Sequence, residues 1–364
     1  MASRIQGKES KLLHPLEDRR ESRVFDLRAN PWTVSEADFP VTGPPTEQLQ
    51  FLLSYAVLAP SEYNTQPWLF NVTNRTAQLY ADRSRRLPRL DPDDRELVIS
   101  CGAAFLNLRL ALRHFGYADE VEMHFHEDAS DLLARISLGR RQRATREEHE
   151  LFHAILRRRT NRQVFEDRRV PSALLSTLKE IAGREGVWFQ VVQGEEPRQA
   201  VADLIATGDQ VQWADKQFRQ ELGQWVRPSG LESHDGLPGY AHAKGTFASS
   251  ISSFVVRTFN MGNGEAARDR QLAAGSPVLA VLGTFGDSWS DWFSAGQAVE
   301  KVLLRARAEE IWASFVNQPI EVPSLRTALR EILGRRDFPQ IVLRMGYGPE
   351  VAPTPRRSVS EVLL

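Results

Sequence analysis

The alternation of apolar and polar residues predicts helices and strands in a regular order in the first part of the chain. Residues 46–59 have apolar side chains at helical spacing, and the short runs "WLFNV" and "AQLYAD" predict two strands joined by the turn-like "TNRT". The strongly apolar segment 101–117 predicts a long helix with a glycine near its end. Further strands are predicted in "VEMHFHED" and "ARISLG". Together these elements predict an α+β unit.

The same order of elements returns in the second part of the chain. A helix in "PSALLSTLKEIAG" precedes strands in "VWFQVV" and "SPVLAVLGTF", and the latter is apolar throughout, as buried strands are. A long helix is predicted over 295–315, with a final strand in "FPQIVLRMGYG". The long helices match, "CGAAFLNLRLAL" with "AGQAVEKVLLRA", which makes Gly102 and Gly296 equivalent. Because solenoid periods are far shorter, we predict two fused α+β units.

The boundaries of these units follow from the same pattern. We expect a charged N-terminal tail over 1–40, a first unit over 41–145 and a second unit over 146–364. Residues 207–250 form a long segment between two predicted strands and are rich in Gly, Ser and Trp. This segment is either a lid over a site or an ordinary surface excursion, and loops of this length in compact domains are more often functional.

The composition limits the class of protein. With 41% hydrophobic and 26% charged residues among 364, the chain is typical of a soluble globular protein. A net charge of −1 gives no reason to expect nucleic acid or an acidic membrane as a partner. No run of about 18 apolar residues predicts a membrane span, and the N-terminal residues lack a secretory signal core. Since Cys101 is the only cysteine, intrachain disulfides are excluded and a cytoplasmic location is expected.

Arginines crowd the end of the amphipathic helix predicted within residues 139–170, and a smaller basic group lies near residue 356. Clustered guanidinium groups supply forked donors that suit phosphate, and a neighbouring threonine adds a hydroxyl. Both groups are also typical of a solvated basic surface. The positive charges of the first group would in addition stabilise the C-terminus of the predicted helix. The candidates for phosphate binding are Arg158, Arg159, Thr160, Arg162, Arg356 and Arg357.

The loop "APSEYNTQPW" is rich in hydrogen-bonding side chains between two prolines. Pro60 and Pro67 restrict the backbone at both ends and stop the preceding helix. Between them, Ser61, Asn64 and Gln66 can meet both donors and acceptors, as the edge of a flat heterocycle requires. An ordinary capped turn is the equal alternative, since serine and asparagine are common in turns.

The remaining candidates point to structural roles. His124 and His126 could share one face of a strand, but no third ligand follows at a recognisable spacing, so no metal site is predicted. Cys101 opens a small apolar run, which is typical of a buried side chain rather than a reactive thiol.

Four motifs together resemble the nitroreductase family of FMN enzymes. "APSEYNTQPW" is similar to that family's Pro-Ser loop, and "RRTNRQVF" is similar to its N-terminal arginine motif. "AGQAVEKVLLRA" resembles the long central helix, and "PTPRR" resembles the C-terminal basic element. Their order on an internal duplication is most similar to the tandem, Acg-like nitroreductases, in which one chain contains two nitroreductase-like halves. The resemblance runs from about residue 45 to the C-terminus.

The resemblance implies an α+β nitroreductase-like fold in which two fused halves form a pseudo-dimer, with mixed sheets flanked by helices. It further implies FMN between the halves, contacted by Pro60, Ser61 and Asn64 of the first half and held at its phosphate by the basic candidates of the second. Because each half lacks the motif of the other, we expect one FMN per chain. Glu62 stands where the family often has a small hydroxyl residue, and it faces either the flavin or solvent.

As a function, the resemblance implies ping-pong hydride transfer from NAD(P)H through FMN to a small acceptor such as a nitroaromatic or a quinone. The flavin carries this chemistry, so no catalytic side chain is predicted. The alternative is an FMN-binding or sequestering protein with an occluded flavin and little turnover. The expected partners are FMN, NAD(P)H and a small organic acceptor, with the chain acting as a monomeric pseudo-dimer or as a homodimer of such chains.

Overall fold

The framework consists of two four-stranded antiparallel sheets, one in each half. The computed structural model describes residues 25–125, 131–227, 233–238, 256–257 and 260–364. Within these residues, one apolar core runs through both halves.

The first sheet contains β1 (Trp68–Thr73), β2 (Thr76–Ala81), β3 (Tyr117–Met123) and β4 (Leu132–Arg141), in the order β1-β2-β4-β3. β1 and β2 form the hairpin predicted around "TNRT". Its turn residue Asn74 has a φ of 51°, a conformation that asparagine tolerates better than most residues.

The helices around this sheet are α1 (Pro45–Ala56) and α2 (Arg95–His114), with α3 (Arg146–Ile155) following β4. α2 begins six residues before its predicted start at residue 101. The Asp91 carboxylate accepts hydrogen bonds from the backbone N–H groups of Glu96 and Leu97 at 2.8 and 3.0 Å. Those amides would otherwise lack a partner in the first turn, so Asp91 stabilises the earlier start.

The second sheet contains β5 (Trp188–Val191), β6 (Val278–Thr284), β7 (Trp312–Phe315) and β8 (Phe338–Gly346), in the order β5-β6-β8-β7. If the strands of each sheet are numbered in chain order, their order across the sheet is the same in both: first, second, fourth, third. Every residue of β6 is buried, as its uninterrupted apolar sequence predicts. The shared strand order confirms the predicted duplication.

The helices of the second half differ from the predictions in two respects. The long helix was predicted over 295–315, but it starts at Trp289 behind a Ser288–Asp291 capping box and ends at Ala308. Glu310 then has a φ of 61°, which breaks the helix before β7. Five of the helices described in this half were not predicted. The helices of this half are α4 (Ser172–Arg184), α5 (Glu195–Ala214), α6 (Lys216–Trp225), α7 (Gly262–Ala274), α8 (Trp289–Ala308), α9 (Gln318–Glu321) and α10 (Pro323–Leu333).

The segment expected to form a lid-like insertion over 207–250 begins inside α5, so its first residues are helical. α5, α6 and α7 all lie in the connection between β5 and β6. Within that connection, Val226–Arg227 pairs in parallel with Leu237–Pro238. Residues 228–232 and 239–250 lie outside the described residues.

The two halves meet where α2 crosses α8. A Cβ atom added to Gly102 would lie 3.1 Å from the Cα of Gly296, and one added to Gly296 would lie 2.9 Å from the Cα of Gly102. The two glycines that the sequence aligns are therefore in direct backbone contact. Since any side chain would force the helices apart, glycine at both positions permits this close crossing.

Each sheet also gains a parallel neighbour at one edge, so both are mixed. The N–H of Phe70 in β1 donates to the carbonyl of Val362 at 2.7 Å, and the N–H of Leu364 donates to the carbonyl of Phe70 at 2.9 Å. Beside β7, the N–H of Asn161 donates to the carbonyl of Ala313 at 2.9 Å. Residues 362–364 of the second half thus extend the sheet of the first.

Within the described residues, every helix is too short or too polar to cross a lipid bilayer.

Candidate functional site

A cavity lies between the two halves, against the α2–α8 crossing. Ile99 and Ala103 of α2 and Val299 of α8 form part of its wall. The rest of the wall comes from the loop 60–67, from the segment before α4, from the β5–β6 connection, from residues 314–321, from β8 and from the segment around residue 356. Both halves therefore contribute to one site.

The loop 60–67 is rigid and conformationally strained. Tyr63, Asn64 and Gln66 have φ values of 47°, 56° and 51°, which cost free energy for residues other than glycine. The Ser61 hydroxyl compensates in part by accepting a hydrogen bond from the N–H of Gln66 at 2.9 Å. The two prolines and this bond explain why the loop has a defined shape at the cavity.

The basic segment near residue 356 fixes this loop from the other half. A guanidinium nitrogen of Arg356 donates to the Asn64 side-chain oxygen at 2.8 Å, and the Asn64 amide donates to the carbonyl of Pro355 at 3.0 Å. The N–H of Arg357 donates to the Gln66 side-chain oxygen at 2.8 Å. Two of the predicted motifs, far apart in sequence, are thus joined by side-chain hydrogen bonds.

The structure brings six of the nine predicted cofactor-binding residues to the cavity wall. They are Pro60, Ser61, Asn64, Thr160, Arg162 and Arg356.

The other three predicted residues are not part of the wall and have protein partners. Arg158 donates to the carbonyl of Leu58 at 3.0 Å and lies 3.5 Å from the buried Glu300 carboxylate. The Arg159 guanidinium stacks 3.6 Å from the centre of the Trp32 ring. Arg357 donates to the carbonyl of Gln66 at 3.1 Å.

Arg162 is the basic group most available to a ligand. It lines the cavity and makes no hydrogen bond or ion pair with any described residue. Burial lowers its pKa, although Glu62 and Asp269 partly oppose that effect. A guanidinium in this position is stabilised by an anion or a strong acceptor within the cavity.

Three glutamates that the sequence did not predict as a group converge on the same wall. Carboxylate oxygens of Glu62, Glu96 and Glu321 lie within 4.8 Å of one another. Burial raises the pKa of each, that of Glu96 to about 7 and that of Glu321 well above its usual value. We call these residues the carboxylate triad. Glu62 therefore lies at the cavity, one of the two positions that the sequence left open.

A second acidic group occupies the wall beside α5 and α7. The Gln318 amide donates to Asp209 and to Asp269, at 3.1 Å in each case. Burial raises the pKa of Asp209 to about 8, and the nearby Asp269 adds to the effect. Burial also lowers the pKa of Arg344, on the same wall, to about 10. This part of the cavity is polar but poorly hydrated.

An apolar cluster forms another part of the cavity wall. We call it the roof, and its members that line the cavity are Trp213, Phe218, Leu222, Val226, Leu237, Val256 and Met261. The segment that leads into Leu237 of the roof is hydrogen-bonded to the loop 60–67. The Asn64 amide donates to the carbonyl of Gly236 at 3.1 Å, and the Gln66 amide donates to that of His234 at 2.8 Å. The cavity thus has an apolar side and an acidic side, with basic groups between the halves.

Two curated relatives are similar to this chain along most of its length. The Mycobacterium tuberculosis protein named "Putative NAD(P)H nitroreductase Rv3131" is 31% identical over 328 residues, which cover 88% of this chain and 92% of the relative. From the same species, "Putative NAD(P)H nitroreductase acg" is 25% identical over 324 residues, covering 87% and 95%.

Among solved structures, the FMN and NADPH-dependent nitroreductase NfnB from sphigopyxis sp. strain HMH has a TM-score of 0.39 and 22% identity, covering 58% of this chain and 96% of its own. No family model matches the chain. The 31% identity along nearly the whole of one relative nevertheless decides the assignment, and this chain belongs to the nitroreductase family.

Proposed function

We propose that this chain is an FMN-dependent NAD(P)H oxidoreductase that holds one FMN in the cavity between its halves. The observation that carries the proposal is Arg162, a cavity cation without a partner among the described residues, facing a rigid polar loop supplied by the other half. The name of the 31% identical relative supports the use of NAD(P)H.

The residues at the cavity fit the two ends of FMN. Thr160 and Arg162 offer a hydroxyl and a guanidinium that suit a phosphate. The loop 60–67 presents backbone and side-chain polar groups in a fixed arrangement, which suits the polar edge of a flat heterocycle. Arg158, Arg159 and Arg357 act in this proposal by positioning neighbouring segments, because each of them already donates a hydrogen bond to a backbone carbonyl.

When bound, FMN supplies the hydride chemistry, and the protein supplies binding, orientation and exclusion of water. Hydrogen bonds from Arg356 and Arg357, with the internal bond of Ser61, hold the strained loop in one conformation before the cofactor arrives. The apolar roof excludes water from its part of the cavity. We expect a nitroaromatic or quinone acceptor to occupy the same cavity as NAD(P)H, in alternate half-reactions.

A second candidate function is FMN sequestration with little turnover. The observation that favours it is the attachment of the roof to the loop, through the Asn64–Gly236 and Gln66–His234 hydrogen bonds. The Arg85–Asp235 ion pair adds a further connection. If the roof opens slowly, NAD(P)H reaches the flavin slowly even though FMN binds tightly.

Two measurements test these functions in turn. We expect titration of the purified protein with FMN to saturate at one flavin per chain, and failure to bind FMN would contradict both functions. Anaerobic NADPH should then bleach the flavin absorbance within seconds for an oxidoreductase, whereas a flavin that stays oxidised supports sequestration. Asp235→Ala, which breaks the Arg85 ion pair, should accelerate bleaching only if opening of the roof limits the rate of flavin reduction.

A further inference from the structure

The carboxylate triad has no part in the FMN contacts proposed above, and it has unmet capacity to bind a ligand. Its members come from three separate elements, with Glu62 in the loop 60–67, Glu96 in the first turn of α2 and Glu321 at the end of α9. All three line the cavity. Such convergence from distant parts of the chain places three acidic groups on a single patch of the wall.

The protein satisfies this patch only in part. One oxygen of Glu96 accepts hydrogen bonds from Arg95 at 2.8 Å and from Asn317 at 3.3 Å. Its other oxygen is buried without a hydrogen-bond partner, in a residue that is only 4% exposed. Among the described residues, neither Glu62 nor Glu321 has a cation within 4.0 Å, and Glu321 accepts a bond from Gln212 at 2.5 Å. The patch therefore has more acceptors than donors.

We propose that the carboxylate triad is a subsite for a primary ammonium group carried by the electron acceptor. This inference rests on the proposed function and specifies its substrate class. An ammonium nitrogen has three donors, and hydrogen bonds of about 2.8 Å at tetrahedral angles hold three acceptor oxygens about 4.6 Å apart. That separation lies inside the 4.8 Å limit that the three carboxylates observe.

The position of the roof favours an organic amine over a metal ion as the occupant. Gln212, which donates to Glu321, is adjacent in sequence to Trp213 of the roof, so the acidic patch and the apolar surface are neighbours. Trp213 and Phe218 present aromatic rings to the cavity, with centroids 6.3 Å apart. An apolar or aromatic body bearing one ammonium group would fill both surfaces, whereas a hydrated metal ion would contact only one.

The electrostatics of the triad agree with the same assignment. Burial raises the pKa of Glu96 to about 7, and the charge of Glu62 contributes to that rise. Without a cation beside it, the triad therefore binds a proton more readily than isolated glutamates do. An incoming ammonium group would replace that proton and restore the charge balance with Arg95.

The test compares two acceptors that differ only at the benzylic substituent, which is an ammonium group in 4-nitrobenzylamine and a hydroxyl group in 4-nitrobenzyl alcohol. We expect the FMN-loaded protein to show a KM for the amine at least about tenfold below that for the alcohol, given the strength of hydrogen bonds to charged groups. Glu62→Gln and Glu321→Gln, which keep the size of the side chain, should each reduce this preference about tenfold. The exposed Glu309→Gln serves as the control and should leave the preference intact.

Binding of benzylamine and benzyl alcohol to the oxidised holoprotein, measured by calorimetry, gives a second readout that does not depend on turnover. Equal affinity for the two compounds, or an amine preference that survives both glutamine substitutions, would overturn the proposal. Heat from MgCl2 alone that is lost in Glu321→Gln, without any amine preference, would also overturn it and identify a metal site. Failure of the proposed function is seen separately, because it abolishes FMN binding itself.

Discussion

The two halves share their framework and differ in their connections. Both sheets have the same strand order, and their long helices meet at equivalent glycines. Before the first strand, however, the first half has the eleven-residue loop 57–67, whereas the second has only residues 185–187. Between the first two strands the difference is reversed, since the first half has a two-residue turn and the second has residues 192–277.

These opposite expansions meet at the cavity. The long loop of the first half supplies Ser61, Glu62 and Asn64, and the long connection of the second supplies Asp209 and the roof. Neither half has both the long loop before its first strand and the long connection between its first two strands. The comparison shows how a duplicated framework can support a single asymmetric site, because the elements that carry chemistry lie outside the repeated sheet.

The largest effect is expected where the halves are equivalent. Gly102→Ala and Gly296→Ala should each lower the free energy of unfolding by about 3 kcal/mol, because the added methyl group meets the backbone of the other helix. Urea denaturation measures this. Gly183→Ala is the control, since nothing lies within 4 Å of its added Cβ, and it should be neutral or slightly stabilising. Strongly unequal losses at the two glycines would argue against the pseudo-symmetric crossing.

The second prediction concerns the asymmetry of the site. Arg162→Gln should weaken FMN binding by about tenfold to a hundredfold, as expected for the loss of a hydrogen bond between charged groups. The control is Arg157→Gln, an exposed arginine paired with Glu310, which should leave the dissociation constant unchanged. Fluorescence titration with FMN gives both values. Equal effects of the two substitutions would show that Arg162 belongs to an ordinary basic surface.

A smaller effect is expected at the edge where the second half extends the first sheet. Val362→Ala removes a buried side chain next to the hydrogen bonds with Phe70 and should cost about 1 to 2 kcal/mol of unfolding free energy. Val164→Ala, at a residue that is 65% exposed, is the control and should cost little. Denaturation midpoints compare the two variants. If Val362→Ala were as mild as the control, the extension would contribute little to the first sheet.

The smallest effect concerns the acidic group around Asp209, whose members Asp209, Glu265 and Asp269 all come from the second half. Burial, with Asp269 and Glu265, raises the pKa of Asp209 from 3.8 to about 8, while Gln318 and Arg268 oppose the rise. The folded state therefore binds the proton more tightly than the unfolded state, so this group's contribution to stability falls as the pH rises from about 4 to about 8. We expect Asp209→Asn to be more stable than the parent protein by about 1 kcal/mol at pH 8.

The check on this last prediction is urea denaturation at several pH values. Near pH 3.5, where Asp209 is largely protonated in both the folded and the unfolded states, the two proteins should have similar stability, and the difference should grow towards pH 8. A constant difference between pH 5 and pH 8 would assign it to packing rather than to the charge.

Local pattern predicted the framework because each strand or helix of the repeat buries a continuous apolar face. The β6 strand and the hairpin at "TNRT" are examples, and the alignment of Gly102 with Gly296 indicated the duplication. The sequence could not show that these glycines touch. The sequence also misplaced the end of α8. The apolar residues of Trp312–Phe315 continue the helical pattern of the sequence, but the positive φ of Glu310 ends the helix before them, and they form a strand.

The site was predictable only where a short motif contained it. The loop 60–67 and the segment around Arg162 have dense polar composition, which indicated ligand contact. By contrast, Glu62, Glu96 and Glu321 are ordinary glutamates in three distant segments, and only folding brings them within 4.8 Å. The helices α5 and α7 escaped prediction because polar residues and glycines interrupt their apolar faces.

The hydrogen bond between Asn64 and Arg356 has a consequence for the order of events during synthesis. These residues are 292 positions apart, so the loop leaves the ribosome long before the segment that secures it. The edge of the first sheet likewise waits for residues 362–364. In the proposed function, cofactor capture is therefore a late event, which follows translation of the second half and cannot assist the nascent first half to fold.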